Sequence, residues 1–257
     1  MDLGFSTMGD PELSYDDACR LAIEFGLQFL ELRILERNLD LPAYFRSLSL
    51  APDKSAVSVR VVSTSFHLEE AASESFEKCL AFAELAEKLD ASFIRIFAAR
   101  DGKEPDATQI EHAAATVQRL RAELSTRGIR AKLLLETHGG FSFSSPCLAL
   151  NQLLDPPLDL LWDSHHTWKI GGESLDQTWS RLGAFIRHVH YKDSVSVPGA
   201  PDAHRYVFPG AGEFPTADLL ELLKRENFEG GFSLEWEKLW HPELPPLRQA
   251  LQAFKEI

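Results

Sequence analysis

Four side chains able to bind a metal or move a proton fall at matching points in the second half of the chain. "LLLE" closes on Glu136, "LLWD" on Asp163, "RHVH" on His190 and "FSLE" on Glu235. Each follows an apolar run that reads as a buried strand. The separations are 27, 27 and 45 residues. Taken alone, each residue reads as a hydrogen-bonded polar group where a strand ends. Four in phase read differently. Buried carboxylates are costly unless paired or metal-bound, and three brought together would repel one another. One divalent cation relieves that repulsion. Three carboxylates and an imidazole form a mostly hard donor set, which favours Mn²⁺, Mg²⁺ or Co²⁺ and also accommodates Zn²⁺.

Such phasing requires consecutive strands that end on the same side, which means a parallel arrangement. The rest of the chain supplies it. "DLGFST", "LQFLELRI", "VRVVSTSF", "SFIRIFAA", "AKLLLE", "LDLLWD", "FIRHVHYKD" and "GFSLEWE" read as eight strands. Helical stretches alternate with them: Ser14 is a plausible N-cap and Gly26 a stop for the first, a second covers Asp40 to Leu50, a long one runs from Ala107 to Arg127, and Thr216 is a candidate N-cap late in the chain. Strict alternation argues for a parallel sheet with crossover helices. Eight units in 257 residues favour one closed (β/α)8 TIM barrel over residues 1–257; an open doubly wound sheet is the alternative. The Pro/Gly-rich segment 198–212 reads as a long loop after the seventh strand. In a barrel the C-terminal strand ends share one face, where catalytic groups gather.

Composition narrows the partners. A net charge of -13 counts against nucleic acid, whose capture rests on Lys and Arg, but leaves room for a locally basic site. Cys19, Cys79 and Cys147 are odd in number and far apart, as free thiols in a reducing compartment would be. There is no leader-like basic and apolar start and no membrane-length apolar run, so the expectation is a cytoplasmic protein with no membrane partner.

The stretches "LLLETHGGFS", "LLWDSHHTW", "IRHVHYKD", "VFPGAGEF" and "FSLEWEK" make the sequence resemble the sugar phosphate isomerase/epimerase family of xylose-isomerase-like TIM barrels. The resemblance implies that Glu136, Asp163, His190 and Glu235 hold one divalent metal. It implies that Glu136 and Glu235 also act as the catalytic pair, one removing a proton beside a carbonyl and the other returning one through an enediolate. It makes His166, in the D-x-x-H step from Asp163, a substrate contact; His165 has no assigned role. Two positions depart from the usual pattern: Ser164 stands where members often carry Pro, and Gly139 where they often carry an acid. The implied substrate is a small sugar or keto-polyol, and family barrels often form homodimers. A keto-inositol dehydratase or 3-keto-glycoside eliminase would share the same first step. A DNA phosphodiesterase of the endonuclease IV type is a distant alternative, needing more histidines and a basic face.

Further contacts are read from position. His67 ends the third strand and faces the same mouth. Arg205 lies in the long loop, and Lys238 closely follows the last strand. Trp168 and Phe141, in expected loops, are the leading aromatic wall candidates, and Trp162 belongs to the core. His138 is a candidate support for the site, and His188, one layer below His190, reads as structural. Lys192 reads as surface charge, with Asp193 as a further candidate contact. Arg33 and Arg95 lie on strands and should pair with acids, for which Glu31 and Asp101 are candidates.

Overall fold

The computed structural model describes residues 1–48, 57–69, 73–100, 102–200 and 203–257. Eight parallel strands close in the order β1(Asp2–Ser6), β10(Gly231–Leu234), β7(Ile186–Tyr191), β6(Asp159–Asp163), β5(Lys132–Glu136), β4(Phe93–Phe97), β3(Ser58–His67) and β2(Phe29–Leu32). The eight strands expected from sequence are these, and the architecture is a TIM barrel. Outside them run α1(Tyr15–Phe25), α2(Leu41–Ser47), α3(Ser73–Leu89), α4(Ala107–Thr126), α5(Ser144–Gln152), α7(Leu175–Leu182), α8(Thr216–Arg225) and α9(Leu247–Phe254). Their ends follow local chemistry. Ser14 accepts a hydrogen bond from the Asp17 amide, and Gly26 takes the left-handed turn at φ 67°. Asp106 and Gln109 form a reciprocal capping box on α4. Thr216 is not a cap. Pro215 holds that position, and Thr216 is the first helical residue, its hydroxyl paired with Tyr191. The second helix ends at Ser47, and residues 49–50 of its expected span lie outside the described residues.

Strand alternation divides the core in two. Side chains facing the helices form the main apolar layer. Inside the barrel, Val61, Phe93, Leu134 and Leu161 form a separate apolar floor. Two residues further along each of those strands stand Ser63, Arg95, Glu136 and Asp163, on the same inward face. Phe29 reaches across the floor toward β1, where only glycine leaves it room. A Cβ on Gly4 would stand 2.3 Å from the Phe29 ring.

The segment after β7 is not a plain loop. β8(Asp193–Ser196) and β9(His204–Val207) pair antiparallel, with Val195 opposite Arg205. A short additional helix, α6(Ser164–Lys169), follows β6 directly, so Trp168 is helical rather than in a loop. Among the described residues, no helix is long and apolar enough to cross a membrane.

Candidate active site

Glu136, Asp163, His190 and Glu235 converge at the C-terminal mouth. One donor atom from each lies within 4.8 Å of all the others, and all four residues are buried. Each position follows from the barrel register. Asp163 and His190 are direct partners across β6 and β7, and His190 is next paired with Ser233, two residues before Glu235.

Asp163 has two tasks. It ends β6 and caps α6: its Oδ1 accepts the His166 amide at 2.9 Å. Its Oδ2 lies 3.1 Å from His166 Nδ1 and 2.8 Å from Lys192 Nζ. His190 is held from both sides. Its Nδ1 faces Glu235 Oε2 at 3.1 Å, and its Nε2 meets Glu31 Oε2 at 2.6 Å. A carboxylate on the outer nitrogen of an imidazole fixes the tautomer and raises the basicity of the inner one. Glu31 also accepts from Ser63 Oγ at 2.8 Å and contacts His188 Nε2 at 3.3 Å. His188, also fully buried, meets Ser233 Oγ at 2.9 Å.

Lys192 is the largest departure from the sequence reading. It is almost wholly buried, with Nζ 2.8 Å from Asp163, 2.5 Å from Glu235 and 2.5 Å from Glu237. Burial alone would depress its pKa, but these three carboxylates raise it well above the ordinary value. Burial would likewise raise Glu235, yet the charges of His190 and Lys192 hold it well below the usual carboxylate range. Glu136 goes the other way. Burial pushes it up to about 7, against the pull of Arg95, whose Nε lies 3.3 Å away. His138 is pushed down to about 4 by burial and then by the charges of Lys192 and Arg95; burial and Lys192 also hold His166 low. Both imidazoles are therefore neutral at pH 7.

A cavity of about 740 Å³ opens over this cluster, in the size range of small-molecule sites. His67 and His166 line it, as expected; His67 stacks on Phe97 with ring centroids 4.9 Å apart. His138 lines it too, packed against Phe97 and His166. Three expected contacts do not. Arg205 is exposed on the outer face of β9, while its neighbours His204 and Tyr206 point into the cavity. Lys238 is turned away, donating to the Pro242 and Leu244 carbonyls. Trp168 packs outside the cavity, against His165 and Phe214. Phe141 is a core residue, and Trp240 lines the cavity instead. Asp193 anchors the backbone, accepting from the amides of Ser194, Gly212 and Phe214. His165 secures the hairpin through Ser194 Oγ at 2.7 Å.

The sequence signature described as "Xylose isomerase-like TIM barrel" matches residues 19–257. The chain belongs to that family. No curated protein matches it in sequence. Solved structures extend the likeness over nearly the whole length of this xylose isomerase-like barrel. The probable 3-DHS dehydratase AsbF of Bacillus anthracis aligns with a TM-score of 0.77 at 18% identity, covering 99% of each chain. The IOLI protein with a bound zinc atom aligns at 0.75 and 18%, covering 100% of this chain and 96% of that one. The 3-keto-D-glucoside 4-epimerase YcjR of E. coli aligns at 0.74 and 14%, covering 100% and 98%. At such identities the likeness establishes the fold alone.

Four residues of this xylose isomerase-like barrel carry more weight than their sequence context suggested. Lys192 continues the two-residue spacing of His188 and His190, so strand alternation placed it inward. Glu31 is a lone acid in the apolar strand "FLEL", two residues beyond Phe29 on the same face. Glu237 and Tyr206 gave no such signal, because their positions depend on loops after the last strand and within the hairpin.

Proposed function

We propose that this barrel is a divalent-metal-dependent sugar isomerase or epimerase, acting as one catalytic domain on a small sugar or keto-polyol. The observation that carries the reading is the convergence of four buried donor atoms, three of them carboxylate oxygens, within 4.8 Å. Their chemistry fits a single hard or borderline ion, Mn²⁺ first among them. Glu136, Asp163, His190 and Glu235 would hold it, with His190 Nδ1 presented by Glu31. When bound, the ion would supply Lewis-acid polarisation of the substrate carbonyl.

The protein's own residues supply the rest. Glu136 ends β5 and Glu235 directly follows β10, and these strands are three places apart around the eight-stranded barrel. Two carboxylates reaching a substrate from well-separated directions suit removal of a carbon-bound proton on one side and its return on the other. The C–H electron pair moves into the enediolate while the proton resides on the carboxylate. His67 and His166, which line the cavity, would orient substrate hydroxyls.

A lyase acting on a keto-inositol or a 3-keto-glycoside is the second reading. It shares the proton abstraction, but an oxygen on the adjacent carbon then departs. Favouring it, His138 and His166 stand 5.0 Å apart, centroid to centroid, at the cavity wall, where as neutral imidazoles they could hydrogen-bond a leaving oxygen. DNA phosphodiester cleavage has little support. Among the described residues the metal-competent groups are two overlapping sets sharing His190, and the net charge is -13.

The test is solvent deuterium incorporation followed by NMR. The Mn²⁺-loaded protein is incubated in heavy water with ketoses, their phosphates, keto-inositols and 3-keto-glycosides. The expected result is exchange at one carbon that Glu136→Gln abolishes, the product distinguishing epimerase, isomerase and lyase. Absence of exchange throughout this panel, with metal bound, would sink the reading.

A further inference from the structure

Two arginines at the mouth carry donors that no other described residue meets. Arg33 directly follows β2 and Arg95 lies on β4; they are 6% and 2% exposed. Arg33 Nη2 donates to Ser65 Oγ at 2.9 Å, but its Nη1 has no hydrogen-bond partner among the described residues. No carboxylate forms an ion pair with it there, contrary to the expectation that Glu31 would. Arg95 lies over the Phe97 ring at 4.0 Å, and its Nη1 is likewise unmatched. Its Nε faces Glu136 at 3.3 Å but outside hydrogen-bond geometry. Asp101, the other expected partner, lies outside the described residues. Both guanidinium groups border the same cavity, together with Ser65, and each adds to the other's electrostatic cost. Burial, then the charge of Arg95, pushes Arg33 down to about 10.

Charged donors left unmet in a buried position are costly. Retaining two of them side by side makes sense if a ligand supplies the acceptors. The charges around the cavity say what kind. Three buried cations, Arg33, Arg95 and Lys192, stand among five buried carboxylates, Glu31, Glu136, Asp163, Glu235 and Glu237. A divalent ion on that cluster would bring the charges into balance, so one added negative charge is accommodated more easily than two. Guanidinium edges present paired N–H donors suited to the two oxygens of a planar carboxylate.

We propose that Arg33 and Arg95, with Ser65, form a carboxylate subsite, so that the substrate is a monoanionic keto acid or sugar acid. This rests on the metal-dependent enolisation reading. The contact between Arg95 and Glu136 places the acid group close to the carbon that loses its proton.

Three probes sharing a hydroxymethyl ketone separate the alternatives: hydroxypyruvate, dihydroxyacetone and dihydroxyacetone phosphate. Binding to the Mn²⁺-loaded protein is measured by calorimetry, with deuterium exchange followed on the same samples. Hydroxypyruvate is expected to bind at least about tenfold more tightly than dihydroxyacetone, and Arg33→Gln to abolish that difference. Equal binding of the neutral probe overturns the subsite. So do tightest binding of the phosphate, a preference that survives in Arg33→Gln, and no binding at millimolar concentration. If Arg33→Gln does not fold, the wild-type ranking decides. Exchange into dihydroxyacetone without carboxylate preference leaves enolisation standing and removes the subsite. Carboxylate preference lost in Arg33→Gln, without exchange into any probe, does the reverse.

Discussion

Glu31 is predicted to control metal affinity without touching the metal. Its Oε2 lies 2.6 Å from His190 Nε2, both groups are fully buried, and Ser63 holds the other oxygen at 2.8 Å. Burial alone would raise its pKa, but His190 and His188 hold it well below the usual range, so it is an anion at neutral pH. Glu31→Gln keeps the shape and an acceptor oxygen while removing the charge. A charge-assisted hydrogen bond is roughly twice as strong as a neutral one, a difference of about 1–1.5 kcal/mol. That corresponds to about tenfold weaker metal binding, at the lower end of what loss of such a partner costs. Glu31→Ala should approach the upper end, about a hundredfold. Mn²⁺ affinity would be measured by competition with a chromophoric chelator, with circular dichroism as a check on folding. A folded Glu31→Gln protein with wild-type affinity would refute the reasoning, showing that His190 does not present Nδ1 to the ion.

Metal affinity should also depend on pH. Burial raises Glu136 to about 7, so below that value the ion must displace its proton, and above it the carboxylate is already free. Burial would lower His190, but Glu235 and Glu31 hold it well above its ordinary value, so affinity should rise about tenfold or more per pH unit through pH 7 and go on rising above it as His190 also gives up its proton; a flat profile from pH 5 to 7 would count against Glu136 as a ligand. Lys192→Met strips the shared cation from Asp163, Glu235 and Glu237. The metal-free protein should lose about 3–5 kcal/mol of stability, and excess Mn²⁺ should restore part of it in thermal unfolding. Gly4→Ala drives a methyl group into the Phe29 ring and should cost about 1–3 kcal/mol in denaturant titration, whether or not metal is present.

The strand-end cluster was legible because two simple periods govern it. Alternation sets the face, and the β/α repeat brings Glu136, Asp163, His190 and Glu235 to one level. Contacts that depend on connecting segments were not legible. Arg205 and His204 are sequence neighbours, and only the register of the hairpin decides that His204 faces the cavity. Trp168 turns outward because Asp163 starts a helix immediately after β6. Lys192 was misjudged for an energetic reason. A buried lysine is rare unless paired, and its partners lie 29, 43 and 45 residues away at Asp163, Glu235 and Glu237. The unmatched donors of Arg33 and Arg95 could not be read from sequence, since both were expected to find an acid.

The cap that Asp163 places on α6 has a consequence for coordination number. Oδ1 accepts the His166 amide and Oδ2 lies 2.8 Å from Lys192 Nζ, so an ion would have to share Oδ2 with the lysine. His190 contributes one nitrogen, because the other belongs to Glu31. A site whose donors are rationed in this way disfavours Ca²⁺, which draws six to eight oxygens and often takes both from a carboxylate. It suits smaller ions that are content with few protein ligands and leave positions open. On the proposed reading, that helix-capping hydrogen bond would narrow which metals the barrel accepts and would keep room beside the metal for a substrate's own oxygens.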